Sequence, residues 1–211
     1  LQYNDYNGGK YLGNNNNLHK ALIKGTSTSG IHPDTQIIAG NAFQNCSDLT
    51  SITIPDGVTC IGWGAFNGCT GLTSIVIPDS VTSIGYVAFS NCSGLTSITV
   101  TDGNTIYHSA DNCLIETTTK TLIAGCKNSV IPTDGSVISI GGAAFSGCSG
   151  LTFIVIPECV TSIGNDAFYD CIGLTSDTIG DSVTSIGYGA FRGCSGLISI
   201  TIPDSVTSIG N

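Results

Sequence analysis

Ten cysteines, fifteen acidic residues and three histidines are the groups in this 211-residue chain whose types could do chemistry. Cys46, Cys69, Cys92, Cys148, Cys171 and Cys194 each follow an Ala-Phe pair at the same interval. Such a row reads as small side chains packed in a ladder, with thiols buried rather than cross-linked, because equivalent side chains on stacked coils point the same way. Cys113 and Cys126 differ. A hairpin folded about Thr119-Lys120 sets them opposite each other as a candidate disulfide, with unlinked thiols as the alternative. Cys60 and Cys159 fall on other rows and are expected to be unpaired. No C-x-x-C occurs and His19, His32 and His108 are scattered, so neither a metal site nor a cofactor is expected.

The carboxylates form a second row. Asp56, Asp79, Asp102, Asp181 and Asp204, with Glu158 completing it, lie along one corner. Functionally this is a cation-attracting, calcium-type edge; structurally, Asp after Pro caps a turn by accepting backbone N–H groups. No histidine has a Ser or Cys partner at a catalytic spacing, so the chain reads as a non-enzyme. Asn45-Cys46-Ser47 and Asn91-Cys92-Ser93 match glycosylation sequons, but both sit in tight turns beside the cysteine row, where chance is the better account.

What positions these rows is a repeat. Ala42-Phe43, Ala65-Phe66 and Ala88-Phe89 recur at a fixed spacing, and after one longer gap so do Ala144-Phe145, Ala167-Phe168 and Ala190-Phe191. A fixed period of this length means a mainly β solenoid, whose coils bury their apolar faces only against their neighbours. In each coil Leu and two alternating Ile residues, as in Leu49, Ile52 and Ile54, predict a turn followed by a strand. Pro55 ends that strand, Asp56-Gly57 makes the corner, 58–61 is a second short strand, and 65–69 is expected to be one helical or 3₁₀ turn.

Composition narrows the partners. A net charge of −9 with six Lys plus Arg excludes a basic face for nucleic acid and disfavours anionic membranes. Thr, Ser and Gly interrupt the Ile and Val positions so that no run of about eighteen apolar residues occurs, and no segment is expected to insert in a bilayer. Leu1-Gln2-Tyr3 offers neither an initiating Met nor a signal peptide, and an open coil edge is expected at Ile209-Gly210-Asn211.

Two segments escape the repeat. Residues 1–40 read as an N-terminal hairpin cap turning at Asn14 to Asn17, ahead of repeats over 41–211. A second hairpin module is inserted at about 104–136, where 113–115 and 122–124 flank Glu116 to Thr121; it is the expected protruding feature. Asp177 occupies the inward Ile row and Gly180 replaces the strand-ending Pro, which makes that coil the least well specified.

A binder would work from the outward strand rows. Ser51, Ser74, Ser97, Ser176 and Ser199 form one, interrupted by Phe153; Thr53, Val76, Thr99, Val155, Thr178 and Thr201 form the other. Small uniform residues offer few anchors, so Phe153 with Val155 is the sharpest candidate, alongside Val76, Thr53 and Thr99. The alternative for Phe153 is packing beneath the inserted hairpin. A further row, Thr59, Thr82, Thr105, Thr161, Thr184 and Thr207, has the regularity of an ice-binding lattice, which the insertion should interrupt.

The unit Ala-Phe-x-x-Cys-x-x-Leu-Thr-Ser-Ile-x-Ile-Pro-Asp-x-Val-Thr-x-Ile-Gly resembles the BspA-type subfamily of leucine-rich repeats across Ala42 to Gly210. It departs from the general leucine-rich pattern in placing Cys before the Leu, so ligand maps from other leucine-rich proteins do not transfer. The resemblance implies a bacterial protein that is surface-displayed or secreted, with adhesion to an extracellular protein or glycan. A structural stalk presenting other domains is the alternative, and an ice-binding solenoid a minor one. The resemblance carries no catalytic motif, and oligomeric state is left open.

Overall fold

The structure, a computed structural model, describes residues 2–210 apart from the side chain of Asp177; the expectations placed on Leu1, Asn211 and the Asp177 carboxylate lie outside the described residues. The chain opens with three antiparallel strands where one hairpin was expected: β1 (Gln2–Tyr6), β2 (Gly9–Asn14) and β3 (Asn17–Lys24). Asn7 and Gly8 join β1 to β2 with φ of 46° and 79°, the geometry that an Asn-Gly pair supplies to a two-residue hairpin turn. Asn14 closes the next turn by accepting the N–H groups of Asn16 and Asn17 at 3.0 and 3.1 Å.

Parallel stacking then takes over. β4 (Ile37–Ile38) adds to β3, and β5 (Cys60–Ile61) to β4. The next coils supply a four-residue strand β6 (Ser74–Ile77), the two-residue β7 (Ser83–Ile84), and β8 (Ser97–Val100), with β6 pairing β8 and β5 pairing β7. A second meander follows, of β9 (Tyr107–Ala110), β10 (Cys113–Glu116) and β11 (Thr121–Ala124). The last coils provide β12 (Ser139–Ile140), β13 (Phe153–Ile156), β14 (Ser162–Ile163), β15 (Ser176–Ile179), β16 (Ser185–Ile186) and β17 (Ser208–Ile209). In register, Ser stacks on Ser and Ile on Ile along β12, β14, β16 and β17, while β13 pairs with β15. Strand pairing is absent at 51–54, where Thr73 N–H to Thr50 O, 3.2 Å, is the bond from the following coil.

The expected helical turn is not one. Residues 65–69 and their equivalents form hydrogen-bonded turns, and the described residues contain no helix. The reason is two left-handed residues four apart, Asn41 and Asn45 in the first coil (φ 58° and 59°) and Gly64 and Gly68 in the second (φ 59° and 75°), which stop the turn from propagating. Coils alternate at the second position, because the side chain of Asn45 occupies the space a Cβ on Gly68 would need. Val87 (φ 53°) and Ala143 (φ 56°) fill the first position without the side chain or the freedom that suits it. Val87→Asn is therefore expected to raise stability by about 1 kcal/mol, checked by thermal or urea unfolding.

The inward face stacks in rows. Phe43, Phe66 and Phe89 have rings 5.1 and 5.7 Å apart and within 6° of parallel, and Phe145, Phe168 and Phe191 repeat this at 5.0 and 5.1 Å. Between Phe89 and Phe145 the stack is broken by the second meander, which divides the interior into two clusters. Leu114 and Cys126 join the first cluster; Cys113, Ile115 and Leu122 join the second. The inserted module is thus a layer between two stacks of coils and not the protrusion expected. The chain is an internal duplication, each half a meander followed by three Ala-Phe coils, and the equivalent Gly25 and Gly125 both lie where a Cβ would overlap the ring of the next Phe.

Candidate functional site

The strand face holds the five expected binding residues, all exposed, on separate patches. Val76 and Thr99 are register partners in the β6–β8 ladder. Phe153 and Val155 point outward from β13, opposite Ser176 and Thr178 of β15. Thr53 lies outside both ladders. Phe153 is 53% exposed, so it does not tuck beneath the inserted module, whose apolar side chains are spent on the two clusters. Its ring is the aromatic side chain of the outward strand rows, beside the exposed Val155 and with Val76 exposed on the other ladder.

Along the acidic corner Asp56, Asp79, Asp102, Glu158, Asp181 and Asp204 are all exposed. Among the described residues no three His, Cys, Asp or Glu groups converge where a cation could sit. Nor do these carboxylates cap their turns: the corners close through backbone bonds, Val58 N–H to Pro55 O at 3.0 Å and Val160 N–H to Pro157 O at 3.0 Å. The row is a line of single, separately solvated charges. The threonine row spends its hydroxyls internally, Thr82 donating to Thr59 O at 3.3 Å and Thr184 to Thr161 O at 3.1 Å. The second meander splits it into two runs.

The cysteine row has a specific partner. Cys69 Sγ donates to Phe43 O at 3.1 Å, Cys92 to Phe66 O at 3.2 Å, Cys171 to Phe145 O at 3.1 Å and Cys194 to Phe168 O at 3.0 Å, so each thiol ties its coil to the one before. Burial pushes the Cys69 and Cys148 thiols up to about 12, and Cys92 is raised for the same reason. Such thiols are poor nucleophiles. Cys113 and Cys126 are both free, which corrects the candidate disulfide: their side chains serve opposite clusters, Cys113 Sγ pointing to Val130 O at 3.4 Å while Cys126 Sγ lies 3.7 Å from Ser129 Oγ. Cys60 and Cys159 are free and half-buried.

Two groupings went unread in the sequence. His19 and His32 are not scattered; their rings stack at 3.9 Å, with Tyr6 and Tyr11 edge-on. Burial and then His32 hold the His19 imidazole below its usual value. The second is a row of exposed aromatics, Trp63, Tyr86 and Tyr188, at the residue following the glycine of each coil. Their carbonyls accept from the preceding coil, as Trp63 O does from Asn41 N–H at 2.8 Å, so the backbone is fixed while the rings face solvent. The signal was available, since equivalent positions elsewhere are Gly142 and Asn165 and Trp63 is the chain's one tryptophan.

Among the described residues no helix is long and apolar enough to cross a membrane. The chain matches the BspA type leucine-rich repeat region in 6 copies, over residues 26–135 and 117–211. No curated protein matches it. Among solved structures it is similar to a leucine rich cell surface protein from Faecalibacterium prausnitzii A2-165, with 35% identity and a TM-score of 0.74 over 85% of this chain and 48% of that one. A leucine-rich repeat protein from Bacteroides ovatus ATCC 8483 aligns at 25% identity and a TM-score of 0.53 over 99% of this chain and 51% of that one. The pneumococcal vaccine antigen PcpA shares the fold at 24% identity and a TM-score of 0.70, over 85% of this chain and 45% of the antigen. The chain thus spans about half the length of these structures. It belongs to the BspA-type leucine-rich repeat family.

Proposed function

We propose that this chain is a non-enzymatic interaction module displayed on a bacterial cell surface, adhering to an extracellular protein or glycan through the strand face around Phe153 and Val155. The observation that carries the reading is that exposed pair on β13, an aromatic and an aliphatic side chain together on outward rows made otherwise of Ser, Thr and Val76. Membership of a family with a leucine rich cell surface protein among its structural neighbours supports display outside the cell. The raised thiols and dispersed carboxylates supply no nucleophile or paired acid and base.

The test is an array of extracellular-matrix proteins, mucins and glycans probed with the purified chain, with and without calcium. A saturable hit is expected, weakened at least about tenfold by Phe153→Ser, the range for losing a central apolar anchor. Retention of full affinity by that variant sinks the site. A blank array favours a stalk that presents other domains.

A further inference from the structure

The two halves, joined at a seam where the phenylalanine stack is interrupted, repeat each other in backbone and differ in what their meanders carry. The β1–β2 turn, Asn7-Gly8 at φ 46° and 79°, corresponds to the β9–β10 turn, Asp111-Asn112 at φ 47° and 62°. That correspondence sets Tyr6 against Ala110, and the register pairs Tyr11 with Leu22 and Ile115 with Leu122 set Tyr11 against Ile115. Counted from the equivalent Gly25 and Gly125, His19 matches Thr119 and His32 matches Pro132. The second meander folds with no titrating side chain at any of these four positions, so the architecture does not require the cluster that the first one builds.

In the first meander those positions converge. The His19 and His32 rings stack 3.9 Å apart and 16° from parallel, with Tyr6 edge-on to His32 at 4.6 Å and Tyr11 edge-on to His19 at 5.2 Å. The cluster also ties the connecting loop 26–36 to the strands, because the Tyr11 hydroxyl accepts from His32 N–H at 3.0 Å and donates to Gly30 O at 3.3 Å. His32 Nδ1 accepts from Asp34 N–H at 3.1 Å, which requires a lone pair there and puts the ring proton on Nε2. A second proton on His32 sets one N–H against another, and a proton on each ring sets two charges face to face.

The charged groups nearby do not relieve this. Asp5 and Lys10 pair with each other at 2.7 Å in the open, and the exposed Lys20 adds positive charge beside His19. The exposed Asp56 precedes Gly57, which lies against the carbonyls of Pro33 and Thr35. Asp34, its Oδ2 3.9 Å from His32 Nδ1, and the Asp5 carbonyl favour a charged His19, but burial and the opposing imidazole outweigh them and hold His19 below 6.5. The folded meander therefore binds fewer protons than the open one, so this stabilisation is complete above pH 6.5 and is lost as pH falls through the lowered value. We propose that the His19–His32 stack is an acid-operated latch, which at mildly acid pH lets β1–β3 and the loop 26–36 open from the first coil while the rest of the solenoid stays folded.

Hydrogen–deuterium exchange on the full chain at about pH 7.5 and about pH 5.5, corrected for intrinsic exchange rates, reads the latch. Protection of β1–β3 is expected to fall about tenfold, the change that one extra proton on opening gives over one pH unit below 6.5, while β12, β14 and β16 keep theirs. His19→Phe keeps a stacked ring and His32→Asn keeps an acceptor for Asp34 N–H; each should flatten that pH dependence, and His108→Gln in the second meander should leave it unchanged. NMR titration of the wild-type imidazoles, which needs no variant to fold, should place His19 below 6.5. Protection of β1–β3 that is the same at both pH values, equal losses in both halves, a fall that persists in both variants, or a His19 that titrates at or above 6.5 overturns the proposal.

Discussion

Phe168→Ala is expected to lower the stability of the C-terminal half by about 3–5 kcal/mol and to leave the N-terminal half standing. Phe168 is fully buried, with its ring sandwiched between Phe145 at 5.0 Å and Phe191 at 5.1 Å, so truncation removes two stacking contacts and opens a hole that rigid neighbouring coils cannot close. In a solenoid each coil feels only its neighbours, so the damage spreads along the stack until coupling weakens. Here it weakens at the seam, where the phenylalanine stack is interrupted and the interior divides. Trp63, the single tryptophan, lies in the first half and reports on it alone, whereas circular dichroism reports on both. The expected result is a dichroism transition that splits, its early phase silent in tryptophan fluorescence. Coincident, equally shifted transitions by both probes show that the halves unfold as one body and that the seam does not insulate them.

How far the sequence carried depends on whether a feature belongs to one coil or to the meeting of two. The solenoid, its period and its inward rows were readable because Leu49, Ile52, Ile54, Val58, Ile61 and Phe66 recur in most coils in the same order. The turn around Ala-Phe was misread as helical, although Asn45, Gly68, Asn91, Gly147, Asp170 and Gly193 advertise a left-handed residue at its end. Asn7-Gly8 carries the hairpin-turn signal for β1 in the same way. The disulfide expectation assumed that Cys113 and Cys126 share a face of one hairpin, and the layered meander instead sends them to opposite clusters. The docking of the second meander was illegible: its Gly125 N–H donates to the Ala144 carbonyl of the following coil, and nothing local to either residue announces that.

Raising the pH from 9 toward 12 is expected to unfold the chain well before its backbone chemistry is threatened, and the thiols set the sign. An accessible thiol titrates near 9.0, whereas burial pushes Cys69, Cys113 and Cys148 up to about 12. Across that window the unfolded chain releases protons that the folded chain retains. The stabilisation from these groups is therefore complete below pH 9 and is lost as pH climbs through about 12. At about 1.4 kcal/mol per pH unit, three units amount to about 4 kcal/mol for each fully buried thiol, comparable to the stability of a small domain. Tyr11 and Tyr107, also raised by burial, act in the same direction. Cys69→Ala separates titration from packing, because the two effects oppose each other. Losing the Sγ contact to Phe43 O should lower the neutral-pH melting temperature, while removing a titrating group should flatten the decline in stability above pH 9. Urea unfolding at stepped pH, with thiolate absorbance recorded in parallel, measures both slopes. A variant that is destabilised by the same amount at every pH would mean that the Cys69 thiol is not titrating on unfolding, and that the cysteine row contributes packing and S–H···O bonds alone.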